Sequence, residues 1–153
     1  MDDLNELTLV PTETVWARYD DLVIDGRSLA AYLWPDQPPW TTHISPFGWP
    51  RVGGPAVAHH AAAELLRKTP GTLAAGRRPL YVCNDCGHVG CGAITAVVER
   101  VGGVIIWRAF GFEANHDPGS LPERWFPQVP AFQFAVQPYY ALFAPYLRGA
   151  RSG

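Results

Sequence analysis

The sequence predicts an α+β fold: an antiparallel β-hairpin or meander packed by two or three short helices, with one long Pro/Trp-rich loop. Three observations carry this. Two strand-like runs, 93–101 and 104–112, flank Gly102-Gly103, and a two-residue glycine turn between such runs signals a hairpin. Apolar residues recur at helical spacing within 55–68 and 139–147, as a helix with one buried face requires. Strand-like and helical runs do not alternate regularly, which argues against a parallel βαβ array. At 153 residues the chain reads as one domain, 1–153, large enough to hide roughly 70% of its surface on folding.

In chain order, Val15 to Ile24 reads as strand material with a turn at Asp20-Asp21, and Asp25-Gly26 ends it. Ser28 can cap a short helix, Leu29 to Trp34, which Pro35 stops. Residues 35–55 hold Pro35, Pro38, Pro39, Pro46, Pro50 and Pro55 and read as a long ordered loop, with Trp40 and Trp49 as anchors on the core. Pro55 to Lys68 is the clearest helix. Pro55 suits its first turn, Ala58, Ala61, Ala62 and Leu65 form its apolar stripe, and Glu64 with Lys68 makes an i,i+4 pair. Residues 69–79 read as a Gly/Arg-rich loop.

Leu80 to Cys83 is a short strand. In the hairpin that follows, Ala93–Val101 and Val104–Phe112, glycine reaches φ > 0 at the turn without steric cost, so both Gly102 and Gly103 are expected there. Ile94, Ala96, Val98, Ile105 and Trp107 form one apolar face. Val97, Ile106 and Phe110 share the other with Glu99 and Arg108, which can pair diagonally. Ser120 with Glu123 resembles a capping box for one turn. Ala131 to Val136 reads as a strand. Tyr139, Leu142, Phe143, Tyr146 and Leu147 then make a closing helix that Pro145 should kink or shorten.

Composition narrows function by exclusion. With 48% hydrophobic and 17% charged residues the chain is globular rather than disordered. Net charge is −2, Lys68 is the sole lysine, and basic residues adjoin only at Arg67-Lys68 and Arg77-Arg78. Nucleic-acid binding needs a connected basic surface, so none is expected. The first residues have neither the basic nor the apolar region of a signal peptide, and no apolar run nears the ~18 residues that span a bilayer. A cytoplasmic location without membrane attachment is expected, where thiols stay reduced. An odd cysteine count of three also speaks against a pure disulfide framework.

Those cysteines are the distinctive feature. Cys83, Cys86 and Cys91 are spaced C-x2-C-x4-C, with Gly87, Gly90 and Gly92 interleaved. Two thiolates three residues apart can share one metal ion where the backbone turns tightly, and glycine permits the turn. A structural zinc site needs four ligands, and His88 and His116 are candidates for the fourth. The same cysteines also suit a redox pair, Cys83 with Cys86, resolved by Cys91, although the glycines disfavour the helix that follows a thioredoxin-type CxxC. They suit equally a set of inert buried thiols. His59, His60 and Glu64 lie on one helix without the HExxH order of a zinc protease and read as a polar face. The chain contains no P-loop, no GxGxxG and no zinc-deaminase pattern.

The stretch from Leu80-Tyr81-Val82-Cys83 through Cys86-Gly87, Gly90-Cys91-Gly92, Val98 and Trp107 to Phe110-Gly111, with Ile44-Ser45-Pro46-Phe47-Gly48-Trp49 upstream, resembles a family of small uncharacterised bacterial proteins. Its mark is a CxxCGxxGCG motif followed by a β-hairpin, and its members are sometimes labelled oxidoreductase. The chain departs from that pattern with His88 where an acidic residue is usual and Val136-Gln137-Pro138 where a polar helix cap is expected. Two functions remain open. One is a small cytosolic binding or interaction protein, with an unknown protein partner and a zinc-stabilised cysteine loop. The other is a thiol-dependent oxidoreductase using Cys83 and Cys86.

Overall fold

The computed structural model describes residues 4–13, 18–36, 43–47, 54–70, 73–83, 92–114 and 121–149, and these form an α+β structure with antiparallel sheets and three α-helices. Strands β1 (Leu7–Glu13), β2 (Arg18–Ile24) and β3 (Arg27–Ser28) make a three-stranded sheet in that order. Sequence patterning missed β1, whose residues are largely exposed or half-buried and give no clean alternation. Asp20-Asp21 is not a turn: both residues lie within β2, opposite Pro11 and Val10. Asp25 and Gly26 do turn the chain, at φ 54° and 80°, the left-handed pair of a type I′ hairpin turn. Helix α1 (Leu29–Leu33) starts where the Ala30 N–H donates to the Ser28 hydroxyl at 3.2 Å, the cap expected from the sequence.

The Pro/Trp-rich stretch 35–55 is not all loop. It contains strand β4 (His43–Ile44), and Ser45 and Phe47 bind it to β2. The Ser45 hydroxyl donates to the Asp20 carbonyl at 2.6 Å, and the Asp20 N–H donates to the Phe47 carbonyl at 2.8 Å. Trp40 and Trp49 lie outside the described residues. Helix α2 (Gly54–Leu65) buries Ala58, Ala61, Ala62 and Leu65. Glu64 does not pair with exposed Lys68. It is buried, with Oε2 at 3.0 Å from His60 Nε2 and Oε1 at 3.7 Å from Arg78 Nη1.

Strand β5 (Arg77–Cys83) begins three residues earlier than expected. Arg77 and Arg78 read as loop residues but are both buried, because folding supplies each with an acid. Arg77 Nε lies 3.0 Å from Glu113 Oε2, and its Nη2 donates to the Thr95 hydroxyl and carbonyl. A guanidinium is buried only when paired and hydrogen-bonded, and its partner here is 36 residues away.

Strands β6 (Ala93–Val101) and β7 (Val104–Glu113) form the hairpin expected from the sequence. At its turn Gly102 takes φ 60° whereas Gly103 is outside the left-handed region, the pattern of a type II′ rather than I′ turn. Ile94, Ala96, Val98, Ile105 and Trp107 are buried together, and Arg108 Nε donates to Glu99 Oε2 at 3.0 Å. Phe110 departs from its expected face. The register slips between Thr95 and Val97, so that Ala109 and Phe110 oppose Ala96 alone, and Ala109 takes φ 56°. This β-bulge turns Phe110 into the core.

Strands β8 (Arg124–Trp125) and β9 (Phe132–Ala135) both pair with β7, completing the larger sheet. Glu123 leads into β8 rather than a helical turn, while Ser120 is outside the described residues. Helix α3 (Val136–Gly149) starts earlier than its apolar stripe and runs through Pro145 without stopping. Pro145 and Ala141 are exposed, so the Ala141 carbonyl that loses its helical donor to proline faces water. The core joins residues of β2, α1, α2, β5, β6, β7, β9 and α3. Trp107 donates its indole N–H to the Tyr139 hydroxyl at 3.1 Å, which donates to the Leu65 carbonyl at 2.9 Å, tying sheet, α3 and α2 together. Among the described residues no helix is long and apolar enough to cross a membrane.

Candidate functional site

The cysteine segment leaves and re-enters the larger sheet at one end. Cys83 is the last residue of β5. In the β5–β6 ladder Val82 pairs with Ala93, the first residue of β6, and Ala93 pairs in turn with Glu113 at the end of β7. On the other side of β5, the short strand β4 places His43 opposite Cys83 and Ile44 opposite Val82. Cys83 is buried and not in a disulfide. Cys86, His88, Cys91 and His116 lie outside the described residues. Among the described residues no group of three or more His, Cys, Asp or Glu is arranged to hold a metal ion.

Strands β5 and β6 are antiparallel neighbours joined by residues 84–92. A thioredoxin-type CxxC instead sits where a strand passes into the helix of a βαβ crossover, whose N-terminus lowers the thiol pKa. The segment here connects two adjacent antiparallel strands, so that crossover is absent. Gly92, just after Cys91, is buried and takes φ 106°, a conformation that suits glycine at the point where the chain rejoins the sheet.

A cleft of about 410 Å³ adjoins this region at the end of the hairpin where β1 passes into β2, lined by Pro11, Thr12, Glu13, Arg18, Tyr19 and Asp20. Tyr19 links the two. It lines the cleft and packs against Ile44 and Val82, the neighbours of His43 and Cys83. Burial, reinforced by the nearby Asp21 carboxylate, pushes the Tyr19 hydroxyl up to about 12, so at neutral pH it is a protonated hydrogen-bonding group. Asp20 Oδ2 accepts from the Tyr146 hydroxyl of α3 at 2.6 Å. Arg18 lies 3.4 Å from Glu13 on the exposed side.

Behind the cleft lies a buried polar network. Asp21 Oδ1 accepts from the Tyr81 hydroxyl at 2.7 Å and from the Leu22 N–H at 2.8 Å, while Oδ2 accepts from the Ser28 hydroxyl at 2.6 Å. The Tyr81 oxygen also accepts from the Ala30 N–H at 3.1 Å. Burial raises the Asp21 pKa, an effect that the hydrogen bonds from Ser28, Tyr81 and Leu22 oppose only in part. This network joins β2, β5 and the start of α1 and fixes the strand that carries Cys83.

The helix histidines do not form a ligand pair. His59 Nδ1 lies 3.2 Å from the Leu147 carbonyl of α3, and His60 meets Glu64. Nor is Glu64 part of an exposed polar face, since Arg78 draws it inward. Sequence reasoning missed His43, Tyr19 and Asp21 as neighbours of the cysteine strand. His43 carried no signal, because its place depends on a ladder between residues forty positions apart. Tyr81 did carry one, as a tyrosine in an apolar strand needs a partner for its hydroxyl. No protein-family model matches the chain, and no curated protein or solved structure matches it.

Proposed function

We propose that this protein is a small cytosolic binding or interaction module whose cysteine segment, 83–91, is stabilised by zinc. The observation that carries this reading is the entry and exit of the segment between neighbouring antiparallel strands. A C-x2-C spacing that begins at the end of one strand, with a third cysteine shortly before the next in sequence, suits a knuckle that clasps a structural metal. The adjoining cleft, lined in part by Tyr19 and Asp20, supplies a surface on which a partner can dock. Cys83, Cys86 and Cys91 supply the thiolates.

Native mass spectrometry of the reduced protein, with and without a chelator, tests the reading. One zinc per chain, lost to the chelator together with part of the stability, is the expected result. Structural zinc is worth roughly 10–16 kcal/mol in zinc-finger peptides that have almost no other core. Here the described core is extensive, so stripping should loosen the loop without unfolding the sheet. A metal-free protein that reversibly loses two hydrogens on oxidation would replace this reading with a thiol oxidoreductase using Cys83 and Cys86.

A further inference from the structure

We propose that the exposed cations Arg67, Lys68 and Arg100 form a docking surface for an acidic segment of a partner protein, separate from the cysteine segment and independent of any metal there. The three belong to the C-terminal end of α2 and the tip of the β6–β7 hairpin, and Tyr140 of α3 joins these places. The Tyr140 hydroxyl donates to the Leu66 carbonyl at 3.4 Å, immediately before Arg67 and Lys68. The Arg100 guanidinium carbon lies 5.9 Å from the centre of the same ring. The hairpin tip is held to the start of α3, because the Val136 N–H donates to the Gly103 carbonyl at 2.9 Å. All three cations are exposed, and none has an ion-pair partner among the described residues. The acids beside them in the chain are engaged elsewhere, Glu64 with His60 and Arg78, and Glu99 with Arg108. Unpaired cations held on one surface suit an occupant that brings carboxylates.

The backbone at Arg67 sets this surface apart. α2 closes in a Schellman motif, with the Lys68 N–H donating to the Ala63 carbonyl at 2.8 Å and the Arg67 N–H to the Glu64 carbonyl at 3.0 Å. Arg67 therefore stands just past the helix end at φ 58°, where glycine is the usual residue because a Cβ is disfavoured. The helix dipole favours a cation in the last turn, but it does not call for one at left-handed φ. Backbone strain held under an exposed, unpaired side chain points to a use for that side chain. An acidic peptide fits this surface better than nucleic acid does. Three cations fall short of the roughly 6–10 phosphate contacts made by many nucleic-acid binders, and the net charge of −2 repels a long polyanion.

Fluorescence anisotropy of fluorescein-labelled hexaglutamate, titrated with the full reduced chain at low ionic strength, tests the assignment. The wild type should bind the peptide, with and without a chelator, and binding should weaken as salt rises. Arg67→Gly, Lys68→Gln and Arg100→Gln should each weaken it about 1.4- to 5-fold, the worth of one exposed ion pair, and the triple variant more than any single change. Arg67→Gly should be at least as stable as the wild type in a thermal melt, because glycine relieves the left-handed position, so its weaker binding cannot come from unfolding. Arg108→Gln removes one positive charge elsewhere, from the pair with Glu99, and should leave binding unchanged. A wild type that does not bind hexaglutamate, or an equal loss in Arg108→Gln, overturns the assignment. Tighter binding of a single-stranded hexathymidylate through the same three residues also overturns it, by making the surface a nucleic-acid site.

Discussion

The Tyr81 hydroxyl donates a 2.7 Å hydrogen bond to Oδ1 of Asp21, joining buried residues sixty positions apart. Through it the strand that ends in Cys83 is fastened to the strand that lines the cleft. Tyr81→Phe should lower stability by about 1–3 kcal/mol, since it takes the donor from the buried Asp21 Oδ1 and one of the two acceptors from the Ala30 N–H. A urea midpoint within error of wild type would show that the bond contributes nothing net.

Asp21 also sets a pH dependence whose sign follows from burial. Its folded pKa is raised above the ordinary 3.8, so the folded state favours the neutral acid. Stability from this group is fully present below 3.8 and is lost as pH rises through the raised folded value. Asp21→Asn has no such titration, so its stability relative to wild type should increase between about pH 4 and pH 7. Paired urea melts across that range measure the difference, and a constant difference would remove Asp21 as the source.

Arg77 and Glu113 are about equally buried, at 2% and 3% side-chain exposure. Desolvation pulls the Arg77 pKa down while Glu113 supports its charge. Glu113→Gln should therefore cost about 3–5 kcal/mol, because a buried guanidinium loses its counter-charge. Replacing both residues together, Arg77→Met with Glu113→Leu, should cost clearly less than the sum of the single changes. Additive losses in that cycle would mean that the two charges do not depend on each other.

Thr69 Oγ1 is buried and has no hydrogen-bond partner among the described residues, as is true of Glu64 Oε1 and Arg78 Nε beside it. The Thr69 carbonyl is engaged, accepting from Arg78 Nη1 at 3.2 Å. Thr69→Val keeps that carbonyl and the side-chain shape while removing the unpaired hydroxyl. It should stabilise the fold by up to about 1 kcal/mol, the low end of the cost of burying such a group. A loss of stability would reveal that the hydroxyl is satisfied in solution.

Ala109 and Gly111 respond in opposite ways to substitution. Ala109 occupies φ 56° in the bulge, a region that costs a non-glycine residue about 1–2 kcal/mol. After glycine's greater entropy in the unfolded chain is subtracted, Ala109→Gly should stabilise by up to about 1 kcal/mol. At Gly111 an added Cβ would lie 2.7 Å from Pro122 Cβ and 3.1 Å from the Arg124 carbonyl. Gly111→Ala should therefore cost about 1–3 kcal/mol through overpacking where β7 meets β8. Thermal melts of the two variants should move in opposite directions.

The sequence by itself determined the α+β class, the 93–101 and 104–112 hairpin, the cap at Ser28, and the stripes of α2 and α3. Each of these is written in local periodicity or in a side chain acting within a few residues. Tertiary structure alone decided that Arg77 and Arg78 begin a buried strand, that Glu64 turns inward, and that Phe110 reaches the core past a bulge. Burying a charge depends on a counter-charge elsewhere in the chain, and a bulge depends on the facing strand. The candidate site divides in the same way. The C-x2-C-x4-C spacing is visible in the chain itself. That His43 stands opposite Cys83 depends on the register between β4 and β5, which is set by the docking of Ile44, Ser45 and Phe47 and not by any pattern around either residue.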